Sequence, residues 1–466
     1  MRLWLCALLA LTLARLILAA SLPLVPDESY YFLWSQHLQP GYFDHPPMVA
    51  FFIRAGTYVF GDNALGIRCC GPIAAAIGSV MLWNAGETLF PHRQAGLIAA
   101  ALLNATLMVG AGAIIITPDT PLLLFWTAGL AALARFIAGA NPRWWLAVGV
   151  AAGCALLSKY TGLLFIGAVF IWLITAPAGR AALRTKWPWA GVALALLIFA
   201  PDIGWNAAHG WVSYLKQGGR VTHFDAARSV QFLAEFLVSQ FLLATPLIFI
   251  LTAIGLRRLG GTPSPAGHLL VWLTVVPGVV FLEHVISGRV QPNWAAIMYP
   301  SACLAAAALP MAILRRWLTL ALALGFALTM LASAQALTYF VPLPVRWDPV
   351  ALQLAGWPQL AVDAAATHPA FLTSDEYATA ASLAMYAPAD IPVVGFVRSW
   401  DHRWAYLSAP SANLAGQTGI LISRRSDSPC PVILGTITRR QGDHVIDTYK
   451  LCRFAAPNAG VLLPRP

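Results

Sequence analysis

About eleven apolar runs long enough to cross a bilayer divide this chain, at about 3–22, 64–89, 95–113, 120–138, 145–158, 161–177, 188–204, 230–255, 267–286, 294–313 and 317–339. Of its 466 residues 59% are hydrophobic and only 10% charged, against roughly 25% charged in soluble domains. The sequence therefore specifies a mainly α-helical, polytopic membrane protein. The formal charge of +10 is no sign of nucleic-acid binding, because the basic residues sit in short loops between apolar runs, where they set topology. Arg2 and the apolar stretch ending Ala19-Ala20-Ser21 would suit a signal peptide. The length of that segment, Arg15 within it and the many spans behind it favour a retained first helix.

With Arg2 inside, the alternate loops hold Arg93; Arg135 and Arg143; Arg180, Arg184 and Lys186; Arg257 and Arg258; Arg315 and Arg316. Those are the inside loops under the positive-inside rule. Merging the short pair 145–158 and 161–177 would send Arg257, Arg258, Arg315 and Arg316 outside, so the pair is read as two spans. The acidic residues played no part in that assignment. Before position 340 they are Asp27, Glu28, Asp44, Asp62, Glu87, Asp119, Asp202, Asp225, Glu235 and Glu283, and all but Glu87 fall outside or at outer helix ends. Acidic residues do little to set topology, so their gathering on one face points to an outward-facing polar site.

Two domains are expected: a transmembrane domain over 1–340, with a long first outer loop at 23–63, and a small outer α/β domain over 341–466. In the latter, strand-like runs at 391–396, 419–423, 432–437 and 445–452 surround a helical stretch at 376–386. Cys430 and Cys452 suit a disulfide in an oxidising compartment, two free thiols being the alternative. The other cysteines lie in or beside apolar segments, and no Cys-x-x-Cys or Cys/His metal spacing occurs.

The outer loops carry the chemistry. The first gathers Asp27, Glu28, Tyr30, Tyr31, Trp34, Tyr42, Asp44 and His45 beside a membrane, where such groups are costly and mark a site; helix capping by Asp27 is the structural alternative. Thr117-Pro118-Asp119-Thr120-Pro121 reads as ordinary helix-start grammar that shares Asp27's face. Lys159 either snorkels to the headgroups or binds phosphate, and Arg220 is a second phosphate candidate. Asn206 and His209, set among Trp205 and Trp211, suit a sugar or a membrane aromatic belt. Asn293 either caps a helix or binds substrate. A transporter or flippase would place its ionisable groups near the midplane, on broken helices or repeats; here they sit at one surface and no repeat is evident. No Gly-x-Ser-x-Gly elbow supports a hydrolase. An enzyme acting on a lipid-borne substrate is favoured, with a transporter or flippase for a polyprenyl-linked sugar or glycolipid as the alternative.

Asp27-Glu28-x-Tyr30-Tyr31 with Gly41-Tyr42-Phe43-Asp44-His45-Pro46-Pro47 resembles the first outer loop of bacterial GT-C glycosyltransferases, relatives of dolichyl-phosphate-mannose protein mannosyltransferases and lipid A aminoarabinose transferase. Thr117-Pro118-Asp119, Leu157-Ser158-Lys159-Tyr160-Thr161, Trp205-Asn206-x-x-His209-x-Trp211 and Gln291-Pro292-Asn293-Trp294 resemble later blocks in the same order, over about 23–300. Asp375-Glu376-Tyr377 and Ala384-Met385-Tyr386 resemble the outer domain of some members.

The resemblance implies a GT-C fold in the bacterial inner membrane with a periplasmic active site. It implies transfer of a hexosyl or pentosyl group from a polyprenyl-phosphate donor, with inversion, to lipid A or lipopolysaccharide, another glycolipid or a protein. Asp27 would be the general base, with Glu28 as its rival. Lys159 and Arg220 would offset the leaving phosphate, with Tyr30, Tyr31 and Tyr42 as further donors to it. Asp119 would orient substrate or hold Lys159. Asp44, His45, Asn206, His209 and Asn293 would line the substrate pocket. Metal dependence varies across the superfamily, so a divalent ion at Asp44 and His45 is an open possibility.

Overall fold

The computed structural model describes all residues except 1, 92, 140, 219–225, 342, 397–402, 408–413, 415–416, 429, 456–459 and 464–466. The described chain is mainly helical, with one sheet near its C-terminus. It forms two compact units that interleave along the sequence: Met1–Leu16, His45–Val49 and Gly71–Leu331 make the first, and Ile17–Asp44, Ala50–Cys70 and Ala332–Pro466 the second.

Among the described residues six helices are long and apolar enough to cross a membrane: Arg2–Ser21, Ala64–Leu89, Asp119–Ile137, Trp187–Ala208, Pro265–Ser287 and Met311–Thr338. The count rises to eight if each of two bent pairs is one span. The run expected as one span at 230–255 is such a pair, bent by 101° between Leu243 and Pro246. The cause is local: Pro246 opens the second helix, and Thr245 before it has φ +65°, outside helical geometry. The run at 161–177 belongs to the other pair, which turns by 101° at Ala176–Pro177. The stretch at 95–113 divides at Thr106, whose extended backbone (ψ 139°) separates Ala95–Ala105 from Leu107–Gly112. The stretch at 294–313 begins as a tight 3-10 turn, Pro292–Met298, and continues as Tyr299–Ala307.

Within the first unit the Trp144–Ser158 helix packs closely on Trp187–Ala208. A Cβ on Gly149 would fall 2.3 Å from the Gly191 carbonyl oxygen, so the crossing depends on glycine in both helices, as small residues permit in membranes. The Trp144–Ser158 helix stops at Lys159, which is extended (φ −161°, ψ 142°) before the turn Tyr160–Gly162. A further buried anchor is Arg15, whose guanidinium donates to the Asn104 side-chain oxygen at 2.8 Å and to the Val109 carbonyl at 3.1 Å, tying the first helix to the two halves of the broken stretch.

The second unit carries a six-stranded sheet: β1 Leu372–Ser374, β2 Val393–Phe396, β3 Thr418–Ser423, β4 Val432–Gln441, β5 His444–Ala455 and β6 Gly460–Leu462, in the order β4-β5-β3-β1-β2-β6. Strand β1 runs parallel to β2 and β3, and the other pairs are antiparallel. The expected strands and the helix Tyr377–Tyr386 are all present. The buried strand β1 and the short β6 complete the sheet. Cys430 and Cys452 form a disulfide, with Cα atoms 5.4 Å apart.

Candidate active site

In the second unit, the Pro26–Ser35 helix starts with proline at its first position, where the missing N–H costs nothing. The Glu28 carboxylate turns back to accept the Val25 N–H at 2.9 Å, a capping arrangement. This separates the neighbouring acids. Glu28 is fully buried and also accepts from Arg68 Nε at 2.7 Å and Nη2 at 2.5 Å. Arg68 is itself buried and donates to the carbonyls of Ala19, Leu22 and Pro23. Asp27 is half-buried, and its Oδ1 accepts from the Tyr377 hydroxyl at 2.9 Å. Burial pushes the Asp27 carboxyl above its usual range; the charges of Asp44 and Glu28 push the same way, while the Tyr377 bond and Arg403 oppose them. Burial, with Asp27 beside it, pushes the Tyr377 phenol up, which keeps it a proton-bearing donor.

Asp44 belongs to the same cluster. Its Oδ2 accepts from the Tyr30 hydroxyl at 2.8 Å and Arg403 Nε at 3.1 Å, and the Arg403 guanidinium lies 4.3 Å over the Tyr377 ring. Tyr42 stacks on Trp34 at 4.3 Å, and its hydroxyl meets the Trp34 and His37 carbonyls and the Gln39 N–H. The Tyr30 and Tyr42 hydroxyls are thus engaged inside this unit. Tyr31 is buried, 5.0 Å from Trp34.

In the first unit, Asp119 opens its helix, where the dipole favours an acid. Lys159 Nζ donates to Asp119 Oδ1 at 2.7 Å, and Asn293 Nδ2 to Oδ2 at 2.7 Å. Both partners of the ion pair are largely buried, and Nζ lies 5.3 Å over the Trp294 ring. Asn206 is buried; its amide nitrogen contacts the side chain and carbonyl of Asp202, and its oxygen accepts the Ser213 N–H. Tyr214 also donates to Asp202, at 2.9 Å. His209 is exposed, stacked on Trp205 at 4.2 Å, with Nδ1 2.7 Å from the Trp205 carbonyl oxygen.

Two cavities of the first unit share lining. One, of about 670 Å3, is walled almost wholly by apolar side chains of the Trp144–Ser158, Leu163–Thr175 and Trp187–Ala208 helices, among them Ala152, Val169, Val192 and Phe199. The other, of about 250 Å3, has a mixed lining that includes His45, Lys159, Glu283, His284 and Trp294 beside Leu164, Val280 and Phe281. Tyr160, Leu163 and Gln217 line both. The first unit thus holds an apolar groove that shares part of its wall with a pocket containing an ammonium.

Of the residues singled out from sequence, Asp27, Glu28, Tyr30, Tyr31, Tyr42 and Asp44 fall in the second unit; His45, Asp119, Lys159, Asn206, His209 and Asn293 fall in the first. Arg220 lies outside the described residues. Sequence reasoning missed Arg68, Tyr377 and Arg403 as partners of the acids, and Glu283 and His284 as pocket residues. Tyr377 had a signal in Asp375-Glu376-Tyr377; Arg403 had none. Asp44 is held by a guanidinium and a phenol, a poor setting for a metal ligand, and among the described residues no group of three or more His, Cys, Asp or Glu could hold a metal ion.

Residues 44–205 match the family model described as dolichyl-phosphate-mannose-protein mannosyltransferase. A lipid A galacturonosyltransferase, RgtD, of Rhizobium johnstonii is 27% identical over 277 residues; the match covers 59% of this chain and 58% of that protein, less than two-thirds of its length. ArnT of Cupriavidus metallidurans superposes in its apo crystal structure with a TM-score of 0.64 at 16% identity, covering 98% of this chain and 99% of ArnT. Its crystal structure bound to undecaprenyl phosphate gives 0.63 at 15% identity, with the same coverage.

Proposed function

We propose that this chain, which has the ArnT-like GT-C fold and is related to GT-C glycosyltransferases, transfers a sugar from a polyprenyl-phosphate donor to lipid A or a similar glycolipid. The observation that carries this is the apolar groove that shares Tyr160, Leu163 and Gln217 with the Lys159 pocket. A polyprenyl phosphate needs an apolar channel for its tail and a cation for its head, and the two cavities supply both in one unit. The relatives agree in kind: one acts on lipid A and another is known with undecaprenyl phosphate bound.

Asp27 is the general base in this reading. Its carboxylate takes the proton of the acceptor hydroxyl, which requires hydrogen-bond reach in the loaded enzyme. The hydroxyl oxygen bonds to the anomeric carbon as the bond from that carbon to the phosphate oxygen breaks. The electron pair leaves on polyprenyl phosphate, and one such displacement inverts the anomeric centre. Lys159 offsets the phosphate charge, joined by Arg220. Asp119 and Asn293 aim Lys159, while His45 lines the donor pocket. Glu28 is assigned to holding the loop rather than to proton transfer, because Arg68 and the Val25 N–H already saturate its carboxylate. Tyr42 is assigned to the loop for the same kind of reason, and Asn206 to holding Asp202; Tyr30 and Tyr31 support the cluster around Asp44, and His209 is left to the acceptor side. No step is routed through a metal.

The orientation follows the basic loops, with Asp119 and the sheet-bearing C-terminal region from about 341 facing the periplasm. About eleven crossings then result, counting both bent pairs and the short helices near 95–113, 144–158 and 292–307. The Cys430–Cys452 disulfide supports that side, because such bonds persist in oxidising compartments.

Val192→Trp tests the groove. Val192 lines it and is half exposed, so a larger ring obstructs the groove without overpacking the core. The expected result is a KM for polyprenyl-phosphate sugar raised about tenfold, roughly the loss of one well-buried side chain's contacts, with kcat nearly unchanged. An unaltered donor KM in a folded variant would remove the groove from the donor site.

A further inference from the structure

A separate groove of about 440 Å3 opens in the first unit between the Ala64–Leu89, Asp119–Ile137 and Trp144–Ser158 helices. It shares no lining with the two cavities assigned to the donor. Small side chains, including Ala128, Ala131 and Ala147, form its floor. Arg135, in the last turn of the Asp119–Ile137 helix, stands at one end. Its Nε donates to Asn84 Oδ1 at 3.0 Å, which fixes the guanidinium plane. Among the described residues no carboxylate pairs with it, and its two terminal nitrogens make no hydrogen bond. A partly buried guanidinium whose terminal N–H groups are not committed within the protein leaves that end of the groove open to an anion.

The location says which anion. Sixteen residues separate Asp119 from Arg135, about 24 Å along a helix at 1.5 Å per residue, so the groove opens toward the leaflet opposite the Asp119–Lys159 pair. Trp144 at its rim is 38% exposed, as an aromatic at headgroup level would be. The same end carries Arg143 and Lys186, both packed on Trp187, so the local potential is positive and favours anionic lipid. The floor of small residues leaves room for an apolar chain, and a guanidinium presents two parallel N–H groups to a phosphate.

We infer that this groove binds one anionic glycerophospholipid, its acyl chain against the alanines and its phosphate on Arg135. The site is independent of the donor reading. Native mass spectrometry of the full chain, purified in detergent and offered equal dioleoyl phosphatidylglycerol and dioleoyl phosphatidylethanolamine, tests it. The wild type is expected to retain one phosphatidylglycerol with about fivefold preference. Arg135→Gln abolishes the preference, Arg135→Lys keeps part of it, and Ala131→Phe lowers retention of both lipids by filling the groove. Millimolar inorganic phosphate does not displace the lipid. Equal retention of the two lipids by the wild type, or a preference that survives Arg135→Gln, overturns the inference. If Arg135→Gln does not fold, Ala131→Phe decides: undiminished phosphatidylglycerol retention in that variant overturns it as well.

Discussion

Asp27 and Glu28 are neighbours in sequence, and their environments assign them opposite behaviour on substitution. In Arg68→Met the buried Glu28 carboxylate loses both guanidinium donors and keeps the Val25 N–H. An uncompensated buried charge of this kind costs about 3–5 kcal/mol. Glu28→Gln is milder, because Arg68 keeps three carbonyl acceptors and the amide oxygen can still accept one bond. Its expected cost is about 1–3 kcal/mol, that of imperfect pairing in a buried site. In Asp27→Asn the amide oxygen can still accept from Tyr377, and the group that burial disfavours as an anion is gone.

The pH dependence separates the two acids further. The folded-state pKa of Asp27 is raised above its ordinary value of 3.8. The stability contributed by its protonated form is therefore full below the unfolded pKa and lost as pH rises through the folded pKa. Asp27→Asn should be at least as stable as wild type at neutral pH, with the difference growing as pH rises through that window. Its transfer rate should fall about 10²–10⁴-fold, the usual contribution of a general base. The wild-type kcat/KM should rise with pH along a limb displaced above 3.8, and Asp27→Asn should lack that limb. The measurements are thermal unfolding in detergent and sugar transfer per folded molecule, both across pH. A folded, stable Glu28→Gln that is inactive, or an active Asp27→Asn, would exchange the roles and refute the reasoning.

Lys159→Met and Asp119→Asn should be strongly non-additive: the double variant recovers about 0.5–3 kcal/mol relative to the sum of the single effects on donor kcat/KM, since each single change strands the other member of the pair; additive effects would separate the two. Reducing the Cys430–Cys452 bond, which closes a separation of 22 residues, should cost roughly 3 kcal/mol, read as a lower unfolding midpoint with dithiothreitol that Cys430→Ser/Cys452→Ser reproduces without reductant; an unchanged midpoint would show the bond absent or without consequence.

The polar cluster of the first loop was legible because its composition conflicts with its surroundings: carboxylates, a histidine and tyrosines gathered beside lipid are costly unless paired or used. The sheet was legible through alternation and β-branched residues, apart from β1 and β6, each three residues long and too short for a period to show. Pro246 announced a break inside 230–255, yet apolar content alone makes that stretch look continuous. The partners of the acids were harder to read. Tyr377 meets Asp27 across 350 residues of sequence, and no spacing rule reaches that far. Arg68 carried no sequence signal of its own; that it turns inward to Glu28 depends on the carbonyls of Ala19, Leu22 and Pro23 converging on it.

The Asp119–Lys159–Asn293 group shows how a motif that is ordinary by itself gains meaning from its partners. Asp119 at a helix start needs no function to explain it, and Lys159 at a helix end needs none either. Together they form a largely buried ion pair, and such a pair is a weak source of stability because desolvation offsets most of its attraction. Lys159 spends one donor on Asp119, and Asn293 occupies the acid's other oxygen. The carboxylate is thereby fixed at both oxygens, so the ammonium is held in one place beside the Trp294 ring and on the wall of the smaller pocket. Held this way, a lysine keeps hydrogen-bonding capacity toward the pocket and needs little rearrangement when a phosphate arrives, which is the condition under which an electrostatic contact favours a leaving group most. In the proposed mechanism the acid therefore acts on the chemistry through the lysine it aims, and Asn293 acts through the acid.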